Sequence, residues 1–301
     1  MHGRVLMVGP AALRRRVARR RSRLPFEVDL VPPPRRGRRP GDVFGVADLV
    51  LRGGLDRAGV VVLLPDGPGA LARVPGPVVH GVPVGAVPVS RLGDLDAWLD
   101  ALAAPRGPGA GRFAVLSMWK PSYLEWAQRF AAALRTGHGP RGADVDAWPA
   151  DEVVRDDVCR RLASGPDLAL YVGHGRERGW SAYRGLRWRH VEAHAARRPI
   201  GTLMTLTCSN LRWPTDDEPS FGLRWVRSGR ACAFVGSVDA VRLRPLVLLS
   251  RAATALFAGG GLDDLGGLLR GLDGAVRRAG DEDLTRSWAS FRVLGNPVQP
   301  F

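Results

Sequence analysis

The sequence predicts an α/β protein built around a mostly parallel β-sheet. Strand-sized runs rich in Val and Leu recur along the 301-residue chain, separated by Gly and Pro. Segments with apolar residues at helical spacing alternate with these runs, which is the pattern of βαβ units. Two of the runs end abruptly at His174 and Cys208. Because the crevice of a parallel sheet lies at the carboxyl ends of its strands, we expect both side chains at one edge.

The first part of the chain, residues 1–105, is predicted to be a small α/β domain. Runs rich in β-branched residues predict strands over 5–8, 26–31, 60–64 and 78–89. Leu95, Trp98, Leu99 and Leu102 lie at helical spacing and predict a helix over 94–103. No chemical motif occurs here, so we expect a structural or regulatory role, such as contact with an activating partner. The Gly- and Pro-rich segment 106–111 is the predicted linker.

The second part, residues 112–301, is predicted to carry the larger sheet. Strands are expected over 113–118, 143–148, 168–172, 203–206, 231–238 and 291–294. Helices are expected over 123–134, 152–162, 221–226, 246–257 and 262–276. This alternation predicts parallel strands joined by helical crossovers.

The composition is that of a globular protein with a strong arginine bias. The formal charge is +15, and Lys120 is the one lysine in the chain. Arginine is spread along the sequence, whereas a nucleic-acid surface would be a cluster. One cluster exists near the N-terminus: Arg14, Arg15, Arg16, Arg19, Arg20, Arg21, Arg23, Arg35, Arg36, Arg38 and Arg39. We interpret it as a solvated face, and nucleic-acid binding as the weaker alternative, because no aromatic residues are interleaved with it.

The chain contains three cysteines, Cys159, Cys208 and Cys232. An odd and small number of cysteines argues against a disulfide framework. This count is typical of a reducing compartment. We find no signal-peptide pattern and no apolar run near the ~18 residues that a membrane span requires. The sequence therefore predicts a cytoplasmic protein without a membrane partner.

His174 and Cys208 are the candidate catalytic pair. A thiol needs a neighbouring base to become an effective nucleophile, and His174 is flanked by Gly173 and Gly175, whose freedom would let the chain turn sharply. The N–H groups of Gly175 and Cys208 are the candidate oxyanion donors. Taken singly, however, a strand-end cysteine or histidine is more often structural.

The remaining cysteines and histidines are not assigned to chemistry. Cys159 and Cys232 are expected in the core. His190 and His194 lie four residues apart but lack a third ligand nearby, so we expect neither a metal nor another cofactor.

Four motifs occur in order: Tyr-Val-Gly-His174-Gly, Leu-Thr-Cys208-Ser-Asn, Ala-Phe-Val-Gly236-Ser-Val-Asp239-Ala and Val-Leu-Gly295-Asn-Pro297. This order resembles the gingipain-like branch of the caspase-like, or clan CD, cysteine peptidases over residues 112–301. The resemblance implies a six-stranded, mostly parallel sheet between helices. It also implies a His174–Cys208 dyad and cleavage after a side chain held in a deep primary pocket.

The candidate substrate-binding residues are Gly236, Ser237, Asp239, Lys120 and Trp180. Trp180 lies in a charged, Trp-rich stretch after Gly175 that departs from the family, so we expect substrate binding there to be this chain's own. Asp239 would receive a basic side chain, whereas Lys120 would hold an acidic one, and we favour Asp239. The function expected is therefore that of a cysteine endopeptidase that cleaves after basic residues. The alternative is a catalytically silent caspase-fold module that binds or senses a partner.

Overall fold

A computed structural model describes residues 4–32, 59–65, 67, 70–105, 111–214 and 218–301. Its strands are β1 Arg4–Val8, β2 Glu27–Val31, β3 Gly59–Pro65, β4 Val78–Val79, β5 Val82–Val89, β6 Arg112–Ser117, β7 Asp144–Pro149, β8 Leu168–Val172, β9 Gly175–Arg176, β10 Gly179–Trp180, β11 Ile200–Leu206, β12 Ala231–Ser237 and β13 Phe291–Gly295. Its α-helices are α1 Ala11–Ala18, α2 Leu92–Ala103, α3 Pro121–His138, α4 Arg155–Ala163, α5 Trp188–Glu192, α6 Phe221–Arg227, α7 Leu243–Ala258, α8 Leu265–Ala279 and α9 Glu282–Ala289. A short turn, Ala182–Gly185, precedes α5.

One large sheet organises the described residues. Its order is β2-β1-β3-β5-β13-β12-β11-β8-β6-β7, with β4 paired to β5 outside this path. Neighbours are parallel except β13 against β12 and β4 against β5. The central strands β8, β11 and β12 are buried along their whole length. Unbroken apolar runs are typical of parallel strands that are covered on both faces.

The strands of residues 112–301 form the mostly parallel six-stranded sheet that the sequence predicts. They lie together in the order β7-β6-β8-β11-β12-β13, with only β13 running antiparallel to its neighbour. The strand predicted over 168–172 is the observed Leu168–Val172. All carboxyl ends of the parallel strands therefore meet at one edge.

The sheet continues from this part of the chain into the N-terminal part. β5 pairs with β13 in parallel. The indole N–H of Trp98 donates to the Cys232 carbonyl at 3.0 Å, and the Arg292 Nε donates to the Leu71 carbonyl at 3.0 Å. The boundary predicted at 106–111 lies outside the described residues except for Gly111. The division into two domains stays a prediction.

Three local features differ from the sequence-based expectations. The run predicted as one strand over 78–89 is split into β4 and β5 by a turn at His80 and Gly81, whose φ angles are +48° and +82°. Positive φ at both central residues is the geometry of a tight two-residue hairpin. Neither the β9–β10 hairpin nor α9 was expected, because these short segments carry too few apolar residues for a clear period.

The N-terminal arginines are partly engaged within the molecule. Arg16 pairs with Asp96 on α2, and Arg20 pairs with Asp96 and Asp100. Arg35, Arg36, Arg38 and Arg39 lie outside the described residues. Among the described helices, none combines the length and apolar character needed to cross a bilayer.

Candidate active site

His174 and Cys208 lie at the same level of two adjacent strands. β8 and β11 are parallel neighbours, and Val172 is the register partner of Leu206. His174 and Cys208 each follow that pair by two residues. Since adjacent strands are about 4.8 Å apart, the two residues leave the sheet at the same carboxyl edge from neighbouring strands. His174 is exposed to solvent and Cys208 is partly buried.

Close packing, not unusual backbone conformation, explains the two glycines beside His174. Neither Gly173 nor Gly175 is among the residues with positive φ. A Cβ on Gly173 would lie 2.5 Å from the Tyr171 hydroxyl oxygen, and one on Gly175 would lie 2.5 Å from Thr207 Oγ1. The strand-end chain therefore runs so close to its neighbours that only glycine fits, which corrects the reason expected from the sequence.

The β9–β10 hairpin orients the backbone after His174. The Ser181 N–H donates to the His174 carbonyl at 3.0 Å, and Gly175 is paired with Trp180 in the next position. Hydrogen-bonded and non-hydrogen-bonded pairs alternate in an antiparallel ladder, so the Gly175 N–H points away from β10. That orientation is compatible with donation to a ligand oxygen.

Two residues at the N-terminal end of α3 act on the His174 imidazole: Tyr123 within the helix and Lys120 immediately before it. The ring of Tyr123 meets it edge-on, with centroids 5.3 Å apart. Burial lowers the pKa of His174, and the positive charge of Lys120 lowers it further. Both causes favour the neutral imidazole, which is the form that accepts a proton.

The Cys208 sulfur rests against the chain that follows β12. The Val241 N–H donates to the Cys208 Sγ at 3.4 Å, and the Cys208 thiol donates to the Val241 carbonyl, also at 3.4 Å. Ser209 turns the chain with a φ of +56°, and its N–H donates to the Asp239 carbonyl at 3.0 Å. Burial raises the pKa of Tyr123, and negative charge on Cys208 acts in the same direction, so Tyr123 lies near Cys208 as well as His174.

Asn210 links the turn that follows β11 to the β9–β10 hairpin through hydrogen bonds. This role was not predicted from the sequence. This fully buried side chain accepts hydrogen bonds from the Trp180 indole at 3.1 Å and the Thr207 hydroxyl at 2.8 Å. It donates to the Arg176 carbonyl at 2.7 Å and to the Gly179 carbonyl at 3.4 Å. Its place two residues after Cys208 was the only available signal, because its partners are 30 or more residues away in sequence except Thr207.

The five candidate substrate-binding residues separate into two groups. Lys120 and Asp239 are exposed to solvent. Trp180, Gly236 and Ser237 are buried.

The buried three have internal contacts. Trp180 stacks on Tyr171 with ring centroids 4.1 Å apart. The Ser237 hydroxyl bonds with Ser290 at 2.9 Å. A Cβ on Gly236 would lie 2.8 Å from Phe234. Because they are buried, these three residues present no side chain to a peptide in this structure.

Asp239 also faces a buried cation. Arg292 is 8% exposed, and burial lowers its pKa to about 10, while the Asp239 carboxylate acts in the opposite direction. The Arg292 guanidinium donates to three backbone carbonyls, those of Leu71, Ala289 and Phe291. The exposed Asp239 carboxylate therefore also lies close enough to the buried Arg292 guanidinium to act on it electrostatically.

The other cysteines and histidines lie elsewhere. Burial raises the pKa of Cys159 to about 11, and Cys232 is buried with its thiol 3.3 Å from the Ala101 carbonyl. His190 accepts from the Arg187 N–H at 3.0 Å, and His194 lies 2.9 Å from an Asp156 oxygen. Within the described ranges, no three His, Cys, Asp or Glu side chains are gathered as a metal site.

Comparison with solved structures shows which proteins share this fold. The structure of the Arg-specific cysteine proteinase gingipain R superposes with a TM-score of 0.76 at 13% identity, covering 99% of this chain and 78% of that one. The complex of the Porphyromonas gingivalis RgpB pro- and mature domains gives 0.72 at 14% identity, with 98% and 79% covered. The Saccharomyces cerevisiae separase–securin complex gives 0.52 at 10% identity, over 81% of this chain but 16% of that one. The fold is therefore the caspase-like fold.

Sequence comparison identifies the family. No curated protein sequence matches the chain. Residues 120–300, which include both His174 and Cys208, match peptidase family C25. The match spans more than half of the 301 residues. The chain therefore belongs to peptidase family C25, the gingipain family.

Proposed function

We propose that the protein is a cysteine endopeptidase in which Cys208 and His174 form the catalytic dyad. The family and the fold support a cysteine peptidase. The observation that supports these two residues is their position: each extends two residues beyond the register pair Val172–Leu206 of adjacent parallel strands. Among the three cysteines, Cys159 and Cys232 are each 1% exposed and Cys208 is partly exposed.

In this mechanism the Cys208 thiol gives its proton to neutral His174 as the sulfur attacks the peptide carbonyl carbon. The N–H groups of Gly175 and Cys208 bind the negative oxygen that forms. His174 then returns the proton to the leaving amine, and the C–N bond breaks to leave a thioester. Water, deprotonated by His174, hydrolyses the thioester and regenerates the thiol.

Cleavage after a basic residue is the specificity that we propose. Asp239 is exposed to solvent. Its backbone lies close to Cys208, since the Asp239 carbonyl accepts the N–H of the next residue, Ser209, at 3.0 Å. A carboxylate there would pair with a lysine or arginine side chain. The structural neighbour gingipain R is described as Arg specific, which supports the same assignment. Lys120 is the competing residue, and it would favour an acidic side chain.

Trapping of the nucleophile tests both parts of this proposal. Peptidyl acyloxymethyl ketones carrying Arg, Lys or Asp at the cleavage position are incubated with the protein, and the adduct is located by mass spectrometry. We expect the Arg or Lys probe to label Cys208, and His174→Ala to remove the labelling. Asp239→Asn should weaken labelling by basic probes, whereas Lys120→Met should not. A preference for the Asp probe that disappears in Lys120→Met would overturn the proposed specificity.

The second candidate function is a catalytically silent binding module. The observation that favours it is that burial and Lys120 are the two causes acting on the pKa of His174, with no carboxylate among them. Iodoacetamide separates the two candidates, because an activated thiolate reacts much faster than an ordinary thiol. Labelling of Cys208 in the folded protein no faster than that of free cysteine would favour the silent module.

We also propose that residues 1–105 are a contact surface for an activating partner. Two of the structural neighbours are complexes, one with a pro-domain and one with securin, which is consistent with control by a bound chain segment. In this protein the N-terminal residues continue the same sheet through β5 and β13, so a partner bound there could act on the catalytic edge through shared strands. Copurification of a partner that is lost on Arg16→Glu/Arg20→Glu substitution, with a change in Cys208 labelling, would be the expected result.

A further inference from the structure

A small cavity lies between α3 and the carboxyl ends of β6 and β7. Its volume is about 160 Å³, which is enough for one amino-acid side chain. Its walls are largely apolar and come from three elements: Val115, Leu124, Ala127, Ala147 and Pro149. We call this cavity the α3 slot.

Ser117 supplies a polar group inside the slot. It is 0% exposed, and its hydroxyl has no hydrogen-bond partner in the protein. Because side chains alternate along a strand, Ser117 lies on the same face of β6 as Val115, the face covered by α3. Buried hydroxyls are almost always paired, so an unpaired one that lines a cavity is available to a ligand that enters the cavity.

Two carboxylates stand at the mouth of the slot. Asp151 and Glu152 line it and are exposed to solvent, and no described cation forms an ion pair with either. Asp151 also acts on Tyr183, whose pKa is raised mainly by burial and additionally by this carboxylate. The Tyr183 hydroxyl accepts the Ser117 N–H at 3.2 Å, so Asp151 and Ser117 belong to one neighbourhood.

The slot is close enough to the dyad to be reached by the same peptide. Tyr123, whose ring contacts His174, directly precedes the slot residue Leu124 on α3. In the sheet, two to three strand spacings separate Cys208 on β11 from β6 and β7. At about 4.8 Å per spacing this is roughly 10–14 Å, the length of three or four extended residues.

We propose that the α3 slot is a second subsite of the peptidase, which binds a lysine or arginine side chain of the substrate a few residues from the scissile bond. The proposal rests on the peptidase function proposed above. The apolar stem of such a side chain fits the walls, its N–H groups donate to the Ser117 hydroxyl, and its positive charge is attracted by the two carboxylates at the mouth. An acidic side chain would be repelled by Asp151 and Glu152, and a purely apolar one would leave Ser117 unpaired.

A positional peptide scan tests the subsite. Nonapeptides of Ala and Ser carry one Arg at the cleavage position and a second Arg moved through the other positions. We expect wild-type kcat/KM to peak at one position of the second Arg, about tenfold above its Ala counterpart, since hydrogen bonds to charged groups contribute on this scale. Asp151→Asn/Glu152→Gln should remove the peak and leave cleavage of single-Arg peptides unchanged.

Matched variants identify the slot as the cause. Asp144→Asn/Asp146→Asn removes the same charge from exposed residues of β7 that do not line the slot, and the peak should survive. Ala127→Leu fills the slot from α3 and should also remove the peak, with circular dichroism melting as a check of folding. The subsite is refuted if wild type shows no peak, or if the peak survives both slot variants.

A second readout separates failure of the subsite from failure of the catalytic proposal. The same peptides, labelled with fluorescein, are titrated into Cys208→Ala and followed by anisotropy. Tighter binding of one two-Arg peptide, lost in the Asp151→Asn/Glu152→Gln background, supports the slot even if no peptide is cleaved. Equal binding of all peptides refutes it, whatever the outcome at Cys208.

Discussion

At the scale of single residues, the site depends on where two side chains leave the sheet. The β8–β11 register places His174 and Cys208 at the ends of neighbouring strands. The Tyr123 ring contacts the His174 imidazole, and negative charge on Cys208 acts to raise the pKa of Tyr123. Lys120 is near enough to lower the pKa of His174, after the larger effect of burial. The charge at the N-terminal end of α3 therefore helps to keep the proposed base unprotonated.

Lys120→Met is predicted to shift the acid limb of the pH profile. Removing a positive charge makes protonated His174 less unfavourable, so its pKa rises and the acid limb of kcat/KM moves to higher pH. The measurement is kcat/KM for a basic peptide between about pH 4.5 and 8. Arg129→Met, which removes an exposed cation paired with Glu125 on the same helix, is the control and should leave the limb in place. A downward shift in Lys120→Met would contradict the assignment.

At the scale of elements, two short segments must keep a fixed relation: the turn after β11 and the hairpin β9–β10. Asn210 joins them through its bonds to Trp180, Thr207, Arg176 and Gly179. Gly175 is held against Thr207 so closely that a Cβ would overlap it. The geometry of the proposed dyad thus depends on packing between segments that are distant in sequence.

Asn210→Ala is predicted to lower kcat about 100-fold, because a shift of about 1 Å between reacting groups has effects of that size. KM should change much less, since Asn210 is fully buried and cannot touch a peptide. Unpaired buried groups should also lower the free energy of unfolding by about 1–3 kcal/mol. Thermal melting and steady-state kinetics give the two values separately. A rise in KM with unchanged kcat would show that Asn210 does not position the dyad.

At the scale of the whole molecule, the edge that carries His174 and Cys208 belongs to a sheet that extends through both predicted domains. Trp98 from the N-terminal part is 0% exposed and bonds to the Cys232 carbonyl on β12, the strand that leads to Asp239. Arg292 on β13 bonds across to Leu71. The two parts of the chain therefore share a core as well as a sheet.

Trp98→Ala is predicted to lower the free energy of unfolding by about 3–5 kcal/mol, the usual cost of emptying a large aromatic site. Trp119→Ala, in which the replaced side chain is 54% exposed, should change it by less than about 0.5 kcal/mol. Chemical denaturation with fluorescence and circular dichroism measures both. In the full chain the two signals should report one shared transition. Two separate transitions would instead support the predicted division into independent domains.

Much of this molecule could be predicted from local sequence. Strand-sized apolar runs and helical spacing located the six strands of residues 112–301 and most of the helices, because these periods report how backbone geometry distributes side chains. The abrupt ends of two runs indicated His174 and Cys208, and the motif order indicated the family that residues 120–300 match. Short segments without a clear period, such as the β9–β10 hairpin, were missed.

The sequence by itself determined the alternation of strands and helices and the two reactive strand ends, because each depends on neighbouring residues along the chain. Only the tertiary structure decided which strands are adjacent, so that β13 links β12 to β5. It also decided burial: Trp180, Gly236 and Ser237 lie inside, whereas Lys120 and Asp239 face solvent. The tie made by Asn210 and the unpaired hydroxyl of Ser117 likewise depend on long-range packing. Such packing brings together residues far apart in sequence, and no local pattern records it.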